Sequence, residues 1–84
     1  MQRLAAAIQL YEQTIASCQR AHGPDHPDTL TLRANLAQAY YAVGRLSDAV
    51  ALLRAVAADC ERALPPDHPL TATVRESLQA IADD

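Results

Sequence analysis

The stretch Cys18-Gln19-Arg20-Ala21-His22-Gly23-Pro24-Asp25-His26-Pro27-Asp28-Thr29 is echoed 42 residues later by Cys60-Glu61-Arg62-Ala63-Leu64-Pro65-Pro66-Asp67-His68-Pro69-Leu70-Thr71. The same shift carries Thr31, Arg33 and Leu36 onto Thr73, Arg75 and Leu78. It also carries Arg3, Leu4, Ala7 and Leu10 onto Arg45, Leu46, Ala49 and Leu52, with no gap anywhere. The 84 residues are therefore two periods of one unit. A period of roughly 20–50 residues marks proteins built by stacking copies of a small supersecondary element.

The spacing of apolar residues says what that element is. Between Thr29 and Val43, Leu32, Leu36, Ala39, Tyr40 and Val43 recur at helical steps. Gly44 follows, where a helix end favours a residue free to take positive φ. A second stripe runs through Leu46, Ala49, Val50, Leu53, Val56, Ala57, Cys60 and Leu64. Pro65-Pro66 closes it, because proline lacks the donor a helix needs and clashes with the preceding turn. Call the first pattern helix A and the second helix B. The opening segment repeats B through Leu4, Ala7, Ile8, Tyr11, Ile15 and Cys18. The closing segment repeats A through Val74, Leu78 and Ile81. The expectation is an all-α chain of four helices in the order B-A-B-A, spanning about 2–21, 28–43, 46–63 and 70–82. Leu36, Tyr40, Ala49 and Leu53 are expected to pack between the A and B helices of the complete unit.

Composition agrees. Alanine (18) and leucine (11), both strong helix formers, dominate, and Phe and Trp are absent. Sparse β-branched and aromatic residues disfavour a sheet. A net charge of −3 without a run of Lys or Arg disfavours nucleic acid and anionic membrane as partners. No apolar stretch reaches the ~20 residues that span a bilayer. Gln9, Glu12 and Gln13 break up the N-terminal segment before a signal-peptide core could form. These features are read as a cytoplasmic protein with two reduced cysteines.

Asn35-Leu36-Ala37-Gln38-Ala39-Tyr40, then Gly44, Arg45-Leu46 and Asp48-Ala49, resembles a tetratricopeptide repeat. The loop Gly23-Pro24-Asp25-His26-Pro27-Asp28-Thr29 is similar to that of the variant of about 42 residues found in kinesin light chains and in arrays attached to bacterial signalling ATPases. The resemblance covers essentially the whole chain. It implies a right-handed α-solenoid: residues 1–22 form helix B of a partial unit, 28–64 a complete A–B unit, and 70–84 a terminal helix A serving as a cap. At that end Gln79 and Ala82 stand where the complete unit has Ala37 and Tyr40. The resemblance further implies a protein- or peptide-binding module without cofactor or catalysis, holding its ligand on the concave face of helix A. Thr31, Asn35, Gln38 and Tyr41 are the candidate contact residues. Asn35 matches an asparagine that contacts peptide backbone in the kinesin-light-chain-like repeats, and an amide that donates and accepts at once suits that task. Tyr41 offers a large amphipathic surface. The equivalent face of the last helix (Thr73, Glu76, Ser77, Ala80, Asp83) is more acidic. An alternative is self-assembly: the terminal helices lack their neighbours, and apolar surface at both ends would be covered in a homo-oligomer.

Other chemistries find little support. His22, Asp25 and His26 do not have a zinc-ligand spacing. Asp25 and Asp67 are expected instead to cap the helices that Pro27 and Pro69 begin, with His26 and His68 packed on neighbouring helices and bonded to backbone. Cys18 and Cys60 occupy equivalent places on successive B helices, farther apart than a disulfide allows, and read as small buried hydrophobes. Ser17, Ser47 and Ser77 have no histidine partner at fixed spacing, and Gly23 and Gly44 are too far apart to form a phosphate-binding loop.

Overall fold

Four stretches coil where the helical spacing places them. The computed structural model describes the backbone of residues 2–83 and the side chains of residues 3–81. Within it lie α1 (Gln2–His22), α2 (Pro27–Ala42), α3 (Leu46–Ala63) and α4 (Pro69–Asp83). Each matches its expected span to within a residue or so. Met1 and Asp84, the outer limits of the expected domain, and the Asp83 side chain of the acidic face lie outside the described residues and side chains.

The punctuation between helices is local chemistry. Gly23 and Gly44 take φ of +90° and +85°, a region that costs other residues dearly. At the end of α2, the Arg45 amide donates to the Tyr40 carbonyl (2.9 Å) and the Gly44 amide to Tyr41 (3.0 Å). These two bonds satisfy carbonyls that the helix leaves unpaired. The N-termini correct the expectation about Asp25 and Asp67. The caps are the histidines: His26 Nδ1 accepts from the Asp28 amide and His68 Nδ1 from the Leu70 amide, both at 3.1 Å. Each bond requires a neutral ring with its proton on Nε2. Pro27 and Pro69 open their helices as expected, and their rigid φ aims the preceding histidine at the helix end. Asp25 points elsewhere and accepts from Arg62 (3.1 Å).

Each helix packs on its neighbours in the chain, α2 also touches α4, and among the described residues α1 reaches neither α3 nor α4. The described part is a slab of 36 × 34 × 16 Å, thin enough for two layers of helices about 10 Å apart. Its interior holds two apolar clusters. Leu30, Ala37, Leu53, Val56, Cys60 and Val74, all without exposure, join α2, α3 and α4. Ile8, Ile15, Leu36 and Ala39, with Tyr11, Leu32, Tyr40 and Val43 beside them, join α1 and α2. Leu52 touches both. The four expected core residues are thus divided. Ala49 and Leu53 are fully buried, whereas Leu36 and Tyr40 belong to the cluster with α1, against which Leu52 of α3 also packs. Tyr40 is only half-buried, and the Arg45 guanidinium sits 4.3 Å above its ring. The single stripe expected on α2 missed Leu30 and Ala37 because α2 is sandwiched and buries two faces.

Candidate functional site

With α1 on one side and α3 on another, α2 keeps one face for solvent. Thr31, Asn35, Gln38 and Tyr41 are all exposed on it, since steps of four, three and three stay on one side of a helix. The Thr31 hydroxyl is already committed, donating to the Pro27 carbonyl at 2.8 Å. Thr73 does the same to Pro69 at 3.0 Å. Such back-bonding leaves Thr31 only acceptor capacity for a ligand. Asn35 and Gln38 lie one turn apart, with both donor and acceptor groups in solvent. Tyr41 is 38% exposed. Ala34, the neighbour of Asn35, packs on the α2–α3–α4 cluster.

The face is held by an ionic chain that sequence reasoning missed. Arg33, on the flank of α2, donates to Asp59 of α3 at 2.6 Å with its side chain only 13% exposed. Arg62 donates to the other oxygen of Asp59 (2.9 Å) and to Asp25 in the α1–α2 loop (3.1 Å). The Arg33 hydrogen bond, helped by Arg62, holds the Asp59 carboxyl below its usual value. The next period varies the device: Arg75 pairs with Glu61 (2.9 Å). In the first period Ser17 replaces the bridging carboxylate and accepts from Arg20 (3.2 Å).

Elsewhere the rings of His22 and His26 stack with centroids 4.7 Å apart. The His26 Nδ1 lone pair is taken up by its cap and Asp25 by Arg62, so the trio does not converge. Both cysteines are free thiols. Cys60 is fully buried, and burial pushes its thiol pKa up. Cys18, expected to be buried, is only half so, with Thr29 Oγ1 at 3.2 Å from its sulfur. Among the described residues no helix is long and apolar enough to cross a membrane.

The profile of the tetratricopeptide repeat matches residues 1–62. The chain belongs to the tetratricopeptide repeat family. A relative, the kinesin light chain-related protein 3 of Arabidopsis thaliana, is 48% identical over 40 residues, which is 48% of this chain and 6% of that protein. The chain thus spans a small fraction of its relative's length. No solved structure matches it. A tetratricopeptide repeat with an exposed helix face and two buried ones is a protein-interaction element, and membership points to binding rather than catalysis.

Proposed function

We propose that this tetratricopeptide repeat segment, part of a longer scaffold or regulatory protein, holds a peptide of its partner along the exposed face of α2. The observation that carries this reading is the Asn35–Gln38 pair: two exposed amides one turn apart on a helix whose other faces are locked in two apolar clusters. Each amide can donate to and accept from a peptide bond. Their rigid support lowers the entropy lost on binding. Tyr41 adds apolar area at the end of the row, and Thr31 adds an acceptor. In this reading residues 1–22, 28–64 and 70–84 are a partial repeat, a complete repeat and a closing helix of one right-handed α-solenoid. The protein works in the cytoplasm, where its thiols stay reduced, and it needs no cofactor.

The test begins with selection of peptides from a random library on the immobilised protein. The selected peptide is expected to bind the Asn35→Ala/Gln38→Ala variant at least about tenfold more weakly, a loss of ~1.4 kcal/mol, with helicity unchanged. Undiminished binding would move the site off α2.

A second reading is self-assembly through the terminal helices. Its support is Leu10 of α1, 63% exposed. Sedimentation at rising concentration separates it from the first reading.

A further inference from the structure

Two grooves of about 450 Å³ each open along the first halves of α1 and α3. Ala5, Ile8, Gln9 and Glu12 of α1 form the wall of the first, and Val43 and Arg45 of the turn between α2 and α3 border it. Ser47, Val50, Ala51 and Arg54 of α3 form the wall of the second, bordered by Leu46 and Ile81. Each wall residue of α1 lies 42 positions before one of α3, so one wall stands in both periods. Packed neighbours do not fill it. The first groove is open although α2 packs on α1 and the turn into α3 borders it. The second is open although α2 and α4 both pack on α3. Its depth comes from small side chains at the mouth, Ala5 in one copy and Ser47 with Ala51 in the other, all exposed. The floor is apolar: Ile8 is 6% exposed, and Val50 and Ile81 are half-buried.

The charge at the rim is what changes between the periods. Glu12 in the first wall becomes Arg54 in the second. Both are exposed, and neither forms an ion pair among the described residues. Arg45, the other charge at the first groove, is already taken: it bonds Asp48 at 2.7 Å and lies over the Tyr40 ring. Glu12 acts on it only through its field. We infer that the two grooves together bind one extended segment of a partner protein, which crosses from α1 to α3. It places an apolar side chain in each groove, a lysine or arginine at Glu12 and an aspartate or glutamate at Arg54. An extended chain suits the site because α1 and α3 do not touch among the described residues, and three to five residues at ~3.3 Å each bridge about 10–17 Å. Burying the apolar pair supplies affinity. The opposite rim charges fix the direction of the chain and reject a segment of uniform charge. This surface is separate from the Asn35–Gln38 face of α2.

The probes are Gly-Ser peptides with two leucines three, four or five positions apart, Lys before the first and Glu after the second. They are titrated into the whole labelled chain and followed by amide chemical shifts. One spacing is expected to give saturable shifts over residues 5–12 and 46–54, and the same peptide with both leucines replaced by serine to give none. Glu12→Lys should weaken binding of the Lys–Glu peptide about fivefold. A peptide with Glu at both ends should show the reverse order, binding this variant more tightly than the parent. A general loss of structure cannot produce that reversal. Ala51→Gln, which fills the second groove from an exposed position, should also weaken the Lys–Glu peptide. Asn35→Ala/Gln38→Ala should leave this binding intact, so loss of one site does not imply loss of the other. No saturable shifts at any spacing, equal binding of the leucine-free peptide, or the same order of affinity for both peptides would overturn the inference. So would dimerisation of the chain that Glu12→Lys abolishes, which would make a second copy the occupant.

Discussion

Thr29 and Thr71 hold the same place in the two periods, both are buried, and only one is satisfied. Thr29 Oγ1 donates to the Gly23 carbonyl at 3.0 Å. Thr71, 2% exposed, has a hydroxyl with no partner among the described residues. The cause is one substitution between the periods: proline stands at 65 where glycine stands at 23. Gly23 turns the chain with φ of +90°, which the proline ring forbids. The Pro65 carbonyl is taken by the His68 amide (3.0 Å) instead. Removing a bonded buried hydroxyl costs about 1 kcal/mol, whereas replacing an unpaired one with an apolar group is neutral or stabilising. Thr29→Val is therefore expected to destabilise by about 1 kcal/mol, and Thr71→Val to leave stability level or raised. Urea unfolding of both variants checks the pair, and the reverse order would contradict this account. The same scale explains the misassigned caps. A carboxylate before proline is the commoner acceptor, but here the rigid Pro27 and Pro69 place a histidine ring nitrogen within reach of the amide two residues on.

At the scale of elements, α2 is central because it is buried twice. Its outward face stays fixed only if both flanking helices stay in register, and the Arg33–Asp59–Arg62–Asp25 chain is the polar part of that fixing. Asp59 is 22% exposed and takes bonds from two arginines. Its folded carboxyl titrates below its ordinary value of 3.8, chiefly because of Arg33. A group depressed on folding contributes stability that is fully present above its unfolded pKa and is lost as pH falls through the folded one. Asp59→Asn is expected to cost about 1–2 kcal/mol at neutral pH and to lose less stability than the parent on acidification below about pH 4. Thermal melts between pH 2 and 7 (~ one unit apart) follow both effects; parallel pH profiles for parent and variant would contradict the assignment. Little of this network was legible in the sequence. Arg33 and Arg75 stood out as repeat identities, but their partners lie 26 and 14 residues away on a facing helix. Periodicity places a residue on a face; it does not say which charge across the interface meets it.

For the molecule as a whole, the period was the informative signal. Helical spacing located four helices and the positive φ of Gly44, because those features depend on local spacing and on a residue with special backbone freedom; the positive φ of Gly23 was not read from it. It found Leu36, Ala49 and Leu53 in the core but missed Leu30 and Ala37, since one stripe per helix is the rule for an element with one covered face and α2 has two. Leu53 shows where the layers meet: it has no exposure and joins α2, α3 and α4 in one cluster. Leu53→Ala is expected to cost about 2–5 kcal/mol, enough to unfold a large share of a marginally stable chain of this size; an unchanged melting curve would contradict the packing. The candidate site was legible as a face and less so as a set of partners, since exposure follows from helical phase while Thr31's back-bond and Ala34's burial follow from tertiary contact. The most direct test of the central claim is amide chemical-shift mapping of the labelled protein titrated with a library-selected peptide. The account predicts saturable shifts centred on Asn35, Gln38 and Tyr41 of α2. Shifts confined to the outer faces of α1 and α3, with α2 unperturbed, would contradict it.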